Sequence, residues 1–205
     1  MKNNKLLFIL ILFLLALSII IISTSCSCFS CSKGEEAEVP IDVLEKADAF
    51  IISKAGAETF EKYITPNFLL TKHTPPYYEM VYKYYIPEKP YVNGLIKFSV
   101  DSVGNIVKER DITGIPNCRY SPEECEYTIN EEQARQIAVE NGMEPGIKDW
   151  KVGFIWNPQM KRYVWDVLST LTESEGEYGY RGSGKEIVID PTSGEVLAFN
   201  DWKIN

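Results

Sequence analysis

The sequence contains a single histidine, His73, among its 205 residues. A zinc site with two or three histidine ligands therefore cannot form within one chain. No G-x-S-x-G motif occurs, and a serine or cysteine nucleophile would need that one histidine from a distant part of the sequence. His73 lies in the segment LLTKHTPP, where we expect an exposed loop residue. We therefore expect a protein that is not an enzyme and assign no catalytic residues.

Basic residues are also scarce in this sequence. Lys and Arg number 21 against 29 Asp and Glu, which gives a formal net charge of −8. Without Lys2 and Lys5, which precede the first apolar segment, the count is 19 against 29, or −10. Such a surface repels phosphate backbones and no basic run offsets it, so we expect no nucleic-acid partner.

The motif for a nucleotide-binding loop is incomplete. Residues 179–185 read GYRGSGK and fit the pattern G-x-x-x-x-G-K, but Glu186 stands where Ser or Thr would bind magnesium. A strand pattern follows instead of the helix whose N-terminus would hold phosphate. We therefore expect no nucleotide and assign no cofactor.

Two clusters of metal-ligating residue types are weak candidates. Carboxylates gather in a loop and a helix first turn, where the helix dipole favours negative charge, so we interpret them as solvated and not as an acid–base pair or calcium site. They are Glu123, Glu124, Glu126, Glu131 and Glu132. Cys26, Cys28 and Cys31 supply three thiols, one short of a closed zinc site. We assign no metal ligand.

Unlike these missing or incomplete motifs, a long apolar run is clearly present near the N-terminus. Residues 6–22 read LLFILILFLLALSIIII, seventeen residues with one Ser and no charge, against the roughly 17 to 25 that span a bilayer as a helix. Basic residues precede the run and glutamates follow it, which places the N-terminus inside and the body on the extracytoplasmic side of the cell membrane. We assign residues 1–32 to this signal or membrane anchor and residues 33–40 to a tether.

The residues after this run leave three alternatives. Small residues precede Cys26, as in a lipoprotein processing site, although Ser23 stands where such sites usually carry Leu. Lipidation at Cys26, cleavage as a signal peptide and retention as an anchor all fit this junction.

Cys118 and Cys125 differ from these N-terminal cysteines, because they flank the turn-forming Ser-Pro of NCRYSPEEC in a chain delivered to an oxidising compartment. We expect them to form a disulfide.

Two similar units follow the tether in the sequence. Each begins with a helix pattern, capped by Asp42 with Glu45 or by Asn130 with Gln133, continues into strands of alternating apolar residues, and ends with a hairpin that begins at Asp101 or Asp190. In the first unit this alternation places five residues on one strand face, namely Tyr78, Met80, Tyr82, Tyr84 and Ile86. The helix starts are 130 − 42 = 88 residues apart and the hairpin aspartates 190 − 101 = 89. This near-constant offset predicts an α+β fold with two tandem units, each a helix packed on an antiparallel sheet. We place the units at residues 41–109 and 127–205, joined by a linker at residues 110–126.

The second unit resembles the PepSY domain family. Residues 128–138 read TINEEQARQIA and residues 187–197 read IVIDPTSGEVL, against the family patterns I-x-x-E-x-A-x-x-I-A and V-D-x-x-T-G-E-V. The resemblance covers about residues 127–202, with Ser193 in place of the usual Thr, and extends more faintly to residues 41–109. PepSY domains occur in propeptides of secreted metallopeptidases and in exported proteins, where they are thought to regulate peptidases. The resemblance thus implies a non-catalytic protein that binds or restrains a peptidase or cell-envelope partner.

One segment stands out as a partner-binding candidate. Residues 173–184 read ESEGEYGYRGSG, join two predicted strands, and present Tyr178, Tyr180 and Arg181, residue types that are favoured at interfaces. A flexible Gly-rich hairpin tip is the alternative interpretation of this segment. For the whole protein, the alternative function is binding of a small molecule or envelope polymer in an aromatic pocket between helix and sheet.

Overall fold

The computed structural model of the protein describes residues 38–176 and 179–204. The apolar run at residues 6–22 and Cys26 lie outside the described residues, within which no helix is long and apolar enough to cross a membrane. The described chain is α+β, with three α-helices and two four-stranded antiparallel sheets. This confirms the α+β class that the sequence predicts.

The first helix, α1, spans Ile41–Ala55, and the short helix α2 spans Ala57–Tyr63. The buried residues of α1 recur at helical spacing and are Val43, Ala47, Ile51 and Ala55. The predicted capping role of Asp42 is wrong, because Pro40 takes the N-cap position and no side chain caps the helix. Asp42 lies in the first turn instead, where its negative charge still suits the helix dipole.

The first sheet is built around a central strand, β3 (Tyr77–Ile86). β4 (Lys89–Asp101) pairs along one edge of β3, and the short strands β1 (Ile64–Pro66) and β2 (Lys72–Thr74) share the other edge. The alternation predicted for β3 is confirmed, because its buried residues include all those predicted to share one face. These are Tyr78, Met80, Tyr82, Tyr84 and Ile86. They lie in one hydrophobic core with the buried stripe of α1.

The second sheet is an antiparallel meander that follows helix α3 (Glu131–Glu140). Its strands are β5 (Lys151–Asn157), β6 (Arg162–Gly176), β7 (Gly179–Ile189) and β8 (Val196–Ile204). The predicted capping box is present, since Asn130 and Gln133 exchange side-chain to backbone hydrogen bonds of 2.9 Å. Ala134 and Ala138 are fully buried in one core with strand residues such as Trp165.

The two halves contain similar aspartate turns. Asp101 Oδ1 accepts hydrogen bonds from the backbone N–H groups of Val103 and Asn105, and Asp190 Oδ1 accepts them from Thr192 and Ser193. Each turn contains a glycine in the left-handed region, Gly104 at φ +84° and Gly194 at φ +77°. A Cβ on Gly104 would meet Val43 and Lys46 of α1, and one on Gly194 would meet Ile137 of α3. In both halves the glycine of the turn therefore lies against the helix of that half.

Aromatic side chains connect the two sheets within the compact unit Glu36–Asn205. Phe154 of β5 stacks on Tyr163 of β6 with ring centroids 5.2 Å apart, and Tyr163 lies 5.6 Å from Tyr84 of β3. Tyr91 of β4 contacts Trp165 of β6 at 5.1 Å. Such ring pairs stabilise by about 0.5–1.5 kcal/mol each beyond their burial. The rings therefore hold the first sheet against the second.

The linker between the halves contains the predicted disulfide. Cys118 and Cys125 are bonded, with Cα atoms 5.5 Å apart, around a 3-10 helix at Pro122–Cys125. Beside it, Arg119 donates its backbone N–H to Lys54 O of α1 at 3.0 Å, and Cys125 packs against the first core. The disulfide thus lies on the first half of the body.

Candidate functional site

The segment at residues 173–184 is a hairpin of paired strands and not the long connection that the sequence indicated. β6 and β7 stay in register as far as Gly176 and Gly179, so only residues 177 and 178 connect them. The pairing of β5 with β6 ends at Leu168, which leaves the end of the hairpin beyond the edge of β5. We call residues 171–176 and 179–184 the arm. Its base contains a register shift between Thr170 and Thr172.

The glycines of the arm make room for aromatic rings. A Cβ on Gly182 would lie 2.9 Å from the Tyr180 hydroxyl, and one on Gly184 would lie 2.8 Å from Trp202 Nε1. Trp202 is held over β7 because its Nε1–H donates to Ser169 O at 3.1 Å. Gly182 and Gly184 therefore allow close packing of Tyr180 and Trp202 on one face of β7, whereas a Cβ on Gly176 or Gly179 would meet no atom within 4 Å.

Tyr180 is fixed on this face by a small polar network. Its hydroxyl donates to Glu173 Oε2 at 3.1 Å, and the same carboxylate pairs with Lys148 from the loop before β5. The hydrogen bond and charge of Lys148 lower the pKa of Glu173, while partial desolvation raises the pKa of Tyr180. Tyr180 remains 42% exposed, so it presents an oriented ring to solvent.

The other face of the arm carries hydroxyl groups and cations. Thr172 is opposite Ser183 and Ser183 is opposite Lys203, so these residues share a face, and the Thr172 and Ser183 hydroxyls hydrogen-bond at 2.7 Å. Ser174 and Arg181 form the next pair on this face. Neither Arg181 nor Lys203 makes an ion pair with any described residue. An open groove of about 560 Å³ lies along these side chains.

Two of the three residues predicted to bind a partner lie in the arm, but on its opposite faces. Tyr180 and Arg181 are adjacent in β7 and therefore point to opposite sides of the hairpin. Tyr178 lies outside the described residues. The sequence did not indicate Trp202, Lys203 and Lys148, since their proximity to the arm comes from pairing with distant strands.

The other chemical candidates occupy ordinary structural positions. His73 is exposed, as expected, but it lies in strand β2 and not in a loop, and its ring stacks on Tyr78 with centroids 4.2 Å apart. Residues 179–185 lie in β7, so their backbone cannot wrap around a phosphate. In residues 38–176 and 179–204, no group of three or more His, Cys, Asp or Glu side chains is placed to hold a metal ion.

Asp190 is a buried and Asp166 a partly buried carboxyl group of the second half, and both lie outside the arm. Asp190 lies in the β7–β8 turn, where it pairs with Arg162, and the backbone hydrogen bonds of Ser193 and Thr192 lower its pKa against the effect of burial. Asp166 of β6 has no hydrogen-bond partner for Oδ1 among the described residues. Burial, with a smaller effect of Glu186, raises the pKa of Asp166 to about 6.

No protein-family model, no curated protein and no solved structure matches the chain. The geometry of the arm and the sequence patterns therefore carry the functional argument.

Proposed function

We propose that the chain is a non-catalytic, membrane-tethered protein with two tandem PepSY-like units on the extracytoplasmic side of the membrane. The apolar run at residues 6–22 and the charge bias around it support the tether. The paired turns at Asp101 and Asp190, each with its glycine against the helix of the same half, support the tandem arrangement. Its task is to bind or restrain a protein partner, a peptidase or a cell-envelope protein.

The arm is the contact surface in this proposal, and the observation that carries it is the fixed position of Tyr180. A tyrosine ring that is held by Glu173 and Lys148 yet exposed loses little conformational entropy when a partner covers it. Arg181 and Lys203 on the opposite face add charges that the described residues leave unneutralised. An oriented, exposed tyrosine and an arginine without an ion-pair partner among the described residues are more typical of the centre of an interface than of a solvated turn.

The packing between helix and sheet favours this function over the aromatic-pocket alternative. A ligand chamber there would separate the aromatic rings of α1 from those of the first sheet. Phe50 of α1 instead contacts Phe98 of β4 with centroids 5.2 Å apart, and Phe98 stacks on Tyr82 of β3 with centroids 5.9 Å apart. These rings therefore occupy the space between α1 and the sheet.

Capture of the partner by the full chain tests this proposal. The intact protein is isolated from its native membrane after cross-linking, and the proteins that come with it are identified and assayed for peptidase activity with and without the chain. We expect the triple variant Y178A/Y180A/R181A to lose the partner. The matched control K108A/Y120A removes an exposed cation and an exposed ring elsewhere and should keep it. Equal capture by the triple variant and the wild type would show that the arm is not the contact surface.

A further inference from the structure

The outer edge of β6 is unpaired along the arm. The strand pairing with β5 ends at Leu168, and the Ile147 N–H donates to Thr170 O two residues later. Beyond Thr170, no described residue pairs with residues 171–176 on the side away from β7. An exposed strand edge with free N–H and C=O groups is a template for a further strand.

The two faces beside this edge carry opposite chemistry. Glu173 and Glu175 alternate with Thr172 and Ser174 along β6, so the acidic side chains lie on the face of Tyr180. The hydroxyl side chains lie on the face of Arg181. The edge is therefore acidic on one side and cationic on the other.

Arg181 can pair with a side chain of a strand added to β6. Neighbouring strands lie about 4.8 Å apart, so the added strand would lie about 10 Å from β7, a distance that Arg181 and an acidic side chain of the added strand would bridge together. Only the small Thr172 and Ser174 lie between, and the groove of about 560 Å³ extends over them from β7 and β8. A carboxylate on the near face of the added strand would thus find a cation without an ion-pair partner among the described residues.

We propose that the arm binds an extended peptide segment of its partner as an additional strand along β6. The segment carries acidic side chains toward Arg181 and basic side chains, at the alternate positions, toward Glu175. This inference rests on the proposed function and specifies the chemistry of the partner. An extended polyanion fits less well, because a charge of 19 − 29 = −10 behind the apolar run repels it and the Glu175 face opposes it.

A peptide titration tests this chemistry separately from partner capture. The probe is a fluorescent eight-residue peptide of alternating Glu and Lys, titrated with the full chain in detergent micelles and followed by anisotropy. One control peptide has the same composition in block order, Glu residues first, and another has N-methyl groups on alternate backbone amides. We expect the alternating peptide to bind more tightly than both controls.

Protein variants identify the face that each charge contacts. R181A and E175Q should each weaken binding of the alternating peptide about fivefold, and the matched control K108A should leave it unchanged. Binding should also weaken with salt, because these charge contacts are exposed.

The following outcomes overturn the inference. They are no binding, equal binding of the block-ordered or N-methylated peptide, or a dimer that excludes the peptide, which would assign the edge to a second copy. Partner capture that depends on the arm would still hold in any of these cases. If the chain binds the alternating peptide but the triple variant captures the partner as well as the wild type does, the proposed function is contradicted instead.

Discussion

The Tyr163 hydroxyl donates a hydrogen bond to the backbone oxygen of Gly114, 2.9 Å away. Tyr163 belongs to β6 of the second sheet, and Gly114 lies beyond the aspartate turn of the first half, next to Thr113, which bridges to Lys97 of β4. Both residues are buried. This bond is therefore a buried polar connection beside the aromatic rings that hold the sheets together, and the Tyr91 hydroxyl makes another by donating to Tyr127 O at 2.7 Å.

Removal of that hydroxyl should destabilise the body as a whole. In Y163F the ring contacts remain, but the buried Gly114 oxygen loses this donor, which costs about 1–3 kcal/mol. Urea unfolding followed by tryptophan fluorescence measures the change. Y120F, at an exposed tyrosine, is the control and should alter the free energy of unfolding by less than about 0.5 kcal/mol. Equal stability of Y163F and the wild type would mean that the bond contributes nothing.

The glycines of the arm should differ sharply in their tolerance of a methyl group. In G184A the added Cβ would lie 1.8 Å from Ser169 O and 2.8 Å from Trp202 Nε1, so strand β6 or Trp202 must move. We expect a loss of about 2 kcal/mol or more and partial loss of the near-ultraviolet signal of tryptophan. G176A, where a Cβ meets no atom within 4 Å, should be nearly neutral. A flexible tip would tolerate both changes, so similar effects of the two variants would contradict the packed arm.

The sequence was sufficient to predict those elements that depend on local periodicity. The buried face of β3, the capping box at Asn130 and the aspartate turn at Asp190 all follow from residues close together in the chain. The N-terminus of α1 was misassigned because Asp42 with Glu45 matches a capping box, while Pro40 is equally suited to precede a helix. The spacing of the apolar residues does not distinguish a helix that begins after Pro40 from one that begins after Asp42.

The sequence does not predict the arm, because the need for glycine at its packed positions arises in part from residues of other strands. A side chain on Gly182 would collide with the Tyr180 ring, and one on Gly184 would collide with Ser169 O of β6 and with Trp202, eighteen residues later. In the sequence both look like flexible loop residues. Because such contacts join distant parts of the sequence, the sequence alone indicates only a run of exposed side chains in one segment. The structure adds Lys148, Trp202 and Lys203 from other elements.

The disulfide should stabilise the linker and, through it, the first core. Closure of a loop of this length, with a sequence separation of 7, contributes about 2.5 kcal/mol by restricting the unfolded chain. We expect C118S/C125S to unfold at correspondingly lower urea concentration, and added reductant to shift the wild type to the same midpoint. The double variant should itself be insensitive to reductant, which is the internal control. A reductant effect of similar size in that variant would point to another cause.

Asp166 should make the stability of the protein fall as the pH rises from about 4 to about 7. Its folded-state pKa is raised from 3.8 to about 6 by burial, so the folded protein binds this proton more tightly than the unfolded chain does. Below the unfolded value both states are protonated and the group has no effect. Between 3.8 and about 6 the unfolded chain ionises first, and above this range the folded state carries a poorly solvated charge. Lys151 offsets part of this charge and Glu186 opposes it.

The variant D166N removes this ionisation and retains the shape of the side chain. We expect the stability of D166N relative to the wild type to increase between pH 4 and pH 7, and the increase to be modest because the group is only partly buried. Urea unfolding at several pH values measures it, with the exposed Asp149 replaced by Asn as the control. A constant difference between D166N and wild type would show that Asp166 ionises normally in the folded protein. A difference that shrinks as the pH rises would mean that the folded protein stabilises the Asp166 charge, so that the effect of Lys151 outweighs burial.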